Sequence, residues 1–276
     1  MENTAKTLTE WYGLQGKTVL IWGCAGQIGG AISKCFAQLG ADVIGTNINQ
    51  EGLNEVQEAL SGLPGKFIGG RVCDITNATQ LKDAVDSFAG VLKNRPVDIT
   101  VLVAGGTVKG VSPKEKFEDF DDATFEKIVR LNYTAPVSAL RQSIRLMEGA
   151  ENPTIGAICS MSYTGHLSRV FAYRGSKIAL EDTLSFLTQE LMKKSKNWTV
   201  IGWRPGFVLA EQNAAVLDEV RRKAILDHMP RGEWQTAEDV ARAIVTTCTP
   251  AFRPCHGAII DIGAGFGHAG LGMSAL

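Results

Sequence analysis

A doubly wound α/β domain, a parallel sheet with helices on both faces, is the fold class this sequence predicts, and three observations predict it. Short β-branched runs alternate with longer helical patterns, the runs are apolar on both faces, and neither a repeat nor a Pro/Ser-rich linker divides the chain. Strands separated by helices of about ten residues or more pair in parallel through right-handed crossovers. Strands apolar on both faces are those that helices cover on both sides. With 276 residues, 45% of them hydrophobic, the chain can bury a large core, and one domain over residues 1–276 is expected.

KTVLIW (17–22) reads as the first strand and leads through a glycine-rich turn into a helix from Gln27 to Leu39. DVIGTN (42–47) is the second, followed by a helix across Asn54 to Leu60; KFIGGRV (66–72) is the third, before a helix from Ala78 to Leu92. DITVLV (98–103), TIGAICS (154–160) and TVIGWR (199–204) continue the series, and GAIIDI (257–262) closes it. In such a sheet ligands bind beyond the carboxyl ends of the strands, near the point where strand order reverses. Chemistry is therefore expected just after each strand: at Gly23–Gly29, Asn47, Asp74, Ala104–Thr107, Ser160–Ser162 and Pro205–Ala210.

A net charge of −1 and a pI near 6.4 give no general attraction to nucleic acid or to anionic lipid, so neither partner is expected. The six cysteines form no C-x-x-C and sit mostly in apolar contexts, which reads as free buried thiols in a reducing compartment rather than a metal site. No apolar run approaches the roughly 20 residues that span a bilayer. The start, MENTAKTLTEWYG, lacks a basic region followed by an apolar one. A soluble, cytoplasmic protein is expected.

LIWGCAGQIGGA (20–31) reads as a phosphate-binding turn that departs from the usual patterns. As G-x-G-x-x-G its first glycine is Cys24; as T-G-x-x-x-G-x-G its threonine is Trp22 and its middle glycine Gln27. Pyrophosphate is held in such turns by backbone N–H groups and a helix N-terminus. Gly23 still permits the tight turn and Gly29 the close packing of helix on strand. Gln27 needs only a negative φ, which a helical residue already has. The turn is read as altered but usable; a glycine-rich turn without a ligand is the bland alternative.

AYRGSK carries the strongest local signal, Tyr173 and Lys177 four residues apart, which on a helix places both on one face. An ammonium beside a phenol favours the phenolate, so such a tyrosine suits proton exchange with a substrate oxygen. A lone Y-x-x-x-K arises by chance in roughly a quarter of chains of this composition. Here Ser160 stands thirteen residues before the tyrosine at a strand end, and IVRLNYTAP places Asn132 in a helical stretch upstream. With the strand alternation, these motifs resemble the short-chain dehydrogenase/reductase family in its compact single-domain, Rossmann-type form, over about residues 14 to 265. Ser162, eleven residues before the tyrosine, competes with Ser160; Ser160 has the family spacing.

The resemblance implies an NAD(P)-dependent oxidoreductase that interconverts a secondary alcohol and a carbonyl. It makes Tyr173 the general acid/base, Ser160 the hydroxyl that orients the substrate oxygen, Lys177 the holder of the nicotinamide ribose, and Asn132 the positioner of a water between the lysine and solvent. It implies cofactor contacts at Gly23, Gln27 and Ile28 in the turn, at Asp74 and Ile75 beside adenine, and at Ala104 and Gly105 after the fourth strand. Pro205, Gly206 and Val208 then stand beside the nicotinamide, with Tyr173 and Lys177. The family's paired asparagines are replaced by Leu102 and Val103, and a threonine by Ala210. Asn47 ends the second strand, where a carboxylate would bind the ribose 2′-OH and an arginine would favour a 2′-phosphate. With Asn47 and the uncharged Ile48 there, NAD is favoured over NADP.

Residues 207–235 fall where this family keeps its substrate cover. PGFVLAEQN, AILDHMPRGEW and DIGAGFGHAG loosely resemble its branch acting on sugar acids and polyols, including mannonate-type oxidoreductases, so a small polar substrate is expected. Arg174, Arg221, His228 and Arg231 could meet a carboxylate or simply be solvated. A non-catalytic NAD(P)-binding regulator on the same fold, and an isomerase or lyase of the extended type, are the alternatives. Apolar residues cover a wide arc of two helices, at Ile178, Ala179, Leu180, Leu184, Phe186, Leu187 and Leu191, and at Ala135, Val137, Leu140 and Ile144. Such helices need a second partner, so a homotetramer or homodimer about a two-fold axis is expected; packing beneath loops of the same chain is the alternative.

Overall fold

Seven parallel strands form one sheet among the described residues, and their carboxyl ends are where such sheets bind ligands. The computed structural model describes residues 10–106, 117–163, 171–208 and 229–265, with positions 219, 223, 226 and 227. The strands are β1 (Thr18–Trp22), β2 (Asp42–Asn47), β3 (Phe67–Val72), β4 (Ile99–Leu102), β5 (Thr154–Ile158), β6 (Thr199–Pro205) and β7 (Ile259–Ile262). Their order is β3-β2-β1-β4-β5-β6-β7, every pairing parallel. The order reverses between β1 and β4, which opens the crevice where such sheets bind ligands. Among the described residues no helix is long and apolar enough to cross a membrane.

Successive strand residues point to opposite faces, and two cores follow. Val19, Ile21, Val43 and Ile201 pack on one face beneath α1 (Gln27–Gln38), α2 (Gln50–Ala59) and α7 (Ala237–Thr247). Leu20, Trp22, Ile155 and Val200 pack on the other beneath α3 (Ala78–Leu92), α5 (Ala135–Leu146) and α6 (Phe171–Lys194). α4 (Asp122–Val129) runs through a π-helical turn, Arg130–Thr134, into α5. Trp22, the residue in the threonine's place, is wholly buried; its Nε1 donates to Ser143 Oγ at 2.8 Å and its ring meets Phe88 edge-on. It anchors β1 to the α5 layer and leaves the cavity to its neighbours.

One element boundary differs from expectation. The second helix starts at Gln50, not Asn54, because Asn49 Oδ1 accepts from the Gly52 N–H and caps it; the apolar periodicity begins only at Leu53. Asn132 lies in a helical stretch as expected, within its π turn, a rare turn that is frequent at functional sites.

Candidate active site

The phosphate turn keeps its geometry without its usual glycines. Gly23 has φ +88°, and a Cβ there would stand 3.0 Å from the Ala104 nitrogen; a Cβ at Gly29 would stand 1.9 Å from the Gly23 oxygen. Those two positions admit glycine alone. Gln27 is the first residue of α1 and has no positive φ, so its side chain costs the turn nothing. Cys24 fits because Gly45 on β2 leaves room: a Cβ at Gly45 would be 2.6 Å from Cys24 Cβ. The amides of Gly23 and Cys24 donate to Thr46 O at 3.1 and 2.8 Å, fastening the turn to β2.

A cavity of about 490 Å³ opens over this turn. Gly23, Gln27 and Ile28 line it at the β1 end, and Asn47, Asp74 and Ile75 at the β2–β3 end. Ala104 and Gly105 line it beyond β4, and Tyr173 and Lys177 close its far side. Asp74 Oδ1 accepts from Thr76 N at 2.9 Å and from Thr76 Oγ1 at 2.7 Å, an Asx turn. Arg130 Nε donates to Thr76 O at 3.0 Å, so the turn at the α4–α5 junction also holds this rim.

Asn132, fully buried, stands behind the cavity wall. Its Oδ1 accepts from Gly106 N at 2.8 Å, and its Nδ2 donates to Gly106 O at 2.8 Å and Ile128 O at 3.1 Å. That amide straps the chain after β4, where Gly105 and Gly106 have φ of +152° and +135°. A Cβ at Gly105 would lie 3.0 Å from Asn132 Oδ1 and 3.3 Å from Lys177 Nζ. Asn132 and Lys177 thus meet across one glycine. With this strap in place, the absent asparagines at 102 and 103 leave no gap: Leu102 is core and Val103 N donates to Trp22 O.

Tyr173 and Lys177 share a face of α6, with Lys177 Nζ 5.8 Å from the tyrosine ring centre. Lys177 is buried, and its ammonium donates to Ile158 O at 2.8 Å at the end of β5; one of its three donors is used there. Two residues on, half-buried Ser160 accepts from Ser162 N at 3.1 Å. Ser162 Oγ is buried away from solvent and has no hydrogen-bond partner among the described residues. Pro205 ends β6; Gly206 N donates to Ile262 O, and Val208 bridges to Gln235. These three residues and Ser160 do not line the cavity. Ala210, Arg221 and His228, with most of 207–235, lie outside the described residues.

Three features escaped the sequence reading. Gly106 is the partner of Asn132. Gly45 makes room for Cys24. One turn beyond Lys177, Glu181 takes two bonds from Arg204, at 2.9 and 2.7 Å, and Arg204 reaches Asp261 at 3.2 Å. This charge cluster ties α6 to β6 and β7, and an arginine inside an apolar strand was its available signal.

The tight turn, the helix N-terminus and the cavity from Asn47 to Lys177 together fit a dinucleotide: a Cβ at Gly23 or Gly29 would strike the backbone of the turn and of the segment after β4, and glycine lets them pack closely beneath the cavity. Residues 17–221 match the family described as short chain dehydrogenase. The chain is 26% identical over 261 residues to 2-dehydro-3-deoxy-D-gluconate 5-dehydrogenase of Bacillus subtilis, covering 94% of this chain and 98% of that one. It is 29% identical over 252 residues to 7alpha-hydroxysteroid dehydrogenase of Escherichia coli, covering 91% and 94%. A solved 7 alpha-hydroxysteroid dehydrogenase complexed with NADH superposes with a TM-score of 0.79 at 26% identity, covering 93% and 96%. The chain belongs to the short-chain dehydrogenase/reductase family. It is an NAD(P)-dependent oxidoreductase that interconverts an alcohol and a carbonyl. Neither a non-catalytic regulator nor an isomerase finds support among these relatives.

Proposed function

We propose that the chain oxidises or reduces a small polar sugar acid or polyol-like compound, with Tyr173 as general acid/base. The observation that carries this reading is the continuous cavity that begins at the N-terminus of α1 and ends at Tyr173 and Lys177. A nicotinamide cofactor held along this cavity would supply the acceptor or donor of the hydride exchanged at the carbinol carbon. Tyr173 takes the hydroxyl proton during oxidation and returns it during reduction, at the same oxygen. Ser160 donates to that oxygen and orients it. The Lys177 ammonium offsets the charge that develops on the ring oxygen, and its free donors suit ribose hydroxyls. Asn132 is a positioning residue: its amide keeps the Gly105–Gly106 backbone clear of the lysine. Gly23, Gln27 and Ile28 serve the pyrophosphate, Asp74 and Ile75 the adenine, and Pro205, Gly206 and Val208 the nicotinamide end. The sugar-acid class draws support from the Bacillus subtilis relative, matched across nearly its whole length.

NAD is the preferred cofactor in this reading, because uncharged Asn47 and Ile48 stand where the adenosine ribose ends. The chain is further read as a cytoplasmic two-fold assembly, a tetramer or a dimer. Ile178 and Phe186 on α6 and Phe125 on α4 are 44%, 60% and 40% exposed, an apolar outer face suited to a copy of itself. A panel of sugar acids, polyols, hydroxysteroids and small ketones with NAD and NADP, followed by nicotinamide absorbance, tests substrate and cofactor together. Turnover confined to steroids would overturn the substrate class. Light scattering at micromolar concentration tests assembly: a particle near the 29.6 kDa of one chain would overturn it.

A further inference from the structure

Asn49 has two tasks at the adenosine end of the cavity. Its Oδ1 accepts from the Gly52 N–H at 3.0 Å, capping α2, and from Asn47 Nδ2 at 2.9 Å. The first bond dictates the second. A backbone N–H can only donate, so the Asn49 atom facing it is the oxygen. The oxygen's other lone pair then demands a donor, so the Asn47 amide must turn its nitrogen inward, where it also donates to Asn49 O at 3.3 Å. Gly52 makes the space: a Cβ there would lie 2.4 Å from Asn47 Nδ2. Asn47 Oδ1 is left without a protein partner among the described residues, on a side chain that lines the cavity.

We propose that Asn49 is a positioning residue for cofactor choice: capping α2 locks the Asn47 amide with its oxygen toward the ligand, and so lets an uncharged side chain reject a 2′-phosphate. A ribose 2′-OH can donate to that oxygen. A 2′-phosphate offers chiefly acceptors and negative charge, and meets an acceptor. An asparagine free to turn over would suit both ligands. The cation nearest along the sheet, Arg71, pairs in register with Thr46 but is held by Ser87 Oγ and by Gly70 O. The inference rests on the NAD preference proposed above.

The test is calorimetric titration with ADP-ribose and 2′-phospho-ADP-ribose, which probe the adenosine half without turnover. Wild type binds ADP-ribose more tightly. Asn49→Ser keeps a capping oxygen, but its hydroxyl can also donate, which removes the shorter of the two bonds that hold the Asn47 nitrogen inward and leaves only the 3.3 Å bond to the backbone oxygen of residue 49. The ratio of the two dissociation constants then falls about three- to tenfold, the worth of one hydrogen bond. Asn49→Asp, which can only accept, keeps the ratio or raises it. An unchanged ratio in Asn49→Ser, or a lost one in Asn49→Asp, overturns the lock while leaving the NAD preference standing. A wild type that favours the 2′-phosphate overturns the preference and the lock with it. A second readout is independent of ligand. Asn47→Asp turns an acceptor toward Asn49 Oδ1 and lowers the melting temperature, and adding Asn49→Ser restores it. No loss in the single variant, or no recovery in the double, rejects the lock.

Discussion

The phosphate turn and the Asn132–Ser160–Tyr173–Lys177 cluster bear sequence change very differently. In the turn, Cys24 and Gln27 replace glycines, yet the backbone follows the path a phosphate-binding turn needs, because only Gly23 and Gly29 lack space for a Cβ. In the proposed catalytic set each residue would act through side-chain atoms: the Asn132 amide, the Lys177 ammonium and the Ser160 hydroxyl all have named partners. A site built from backbone amides tolerates new side chains wherever they point away. A site built from functional groups does not.

Substitutions can break or sharpen that contrast. The largest effect is expected from Tyr173→Phe, which removes the proton donor and keeps the ring. Turnover should fall by about 10²–10⁴-fold, with the NADH dissociation constant, from calorimetric titration with NADH, within about threefold of wild type; retained turnover would reject the assigned chemistry. Ser160→Ala should lower kcat/KM by about 10²-fold, within the range for one lost oxyanion donor, and Ser162→Ala by much less. The reverse order would exchange their roles. In the turn, Gly29→Ala places a methyl 1.9 Å from the Gly23 oxygen, and cofactor affinity should drop about tenfold or more as the turn gives way. Gln27→Gly should move affinity by less than about twofold, since a helical first position asks nothing of glycine. A large gain there would show that the side chain obstructs the turn.

The smallest effect concerns the thiols. Burial pushes Cys24 and Cys159 up to about 12 and Cys73 to about 11, and raises Cys35 and Cys248 as well. A raised thiol pKa keeps the unreactive protonated form at neutral pH. Iodoacetamide at pH 7.5 (about one unit below an ordinary thiol) should therefore modify one cysteine per folded chain, the exposed Cys255, by intact-mass measurement. Labelling of Cys24 would mean that the turn opens.

Much of this was legible beforehand. All seven strands fall on the runs read from alternation, and α3 spans Ala78–Leu92 as periodicity suggested, because apolar pattern is what burial selects. The Tyr173–Lys177 face was readable from spacing alone. What stayed hidden depends on contacts between distant segments. Asn132 and Gly106 are 26 residues apart, and Glu181 and Arg204 are 23 apart; no local pattern links either pair. The early start of α2 was missed because Asn49 acts through its cap, while the apolar periodicity begins later.

The fit of Cys24 against Gly45 also couples a position in the turn after β1 to one on the neighbouring strand β2. A Cβ at position 45 would lie 2.6 Å from that of Cys24 and 2.7 Å from its sulfur, so side chains at both positions exclude one another. A side chain larger than hydrogen on β2 at 45 would require glycine at 24, and Cys24 requires glycine at 45. Glycine at both would leave a void in the layer between α1 and the sheet. The residue that the turn can carry at 24 is thus decided one strand away, at 45.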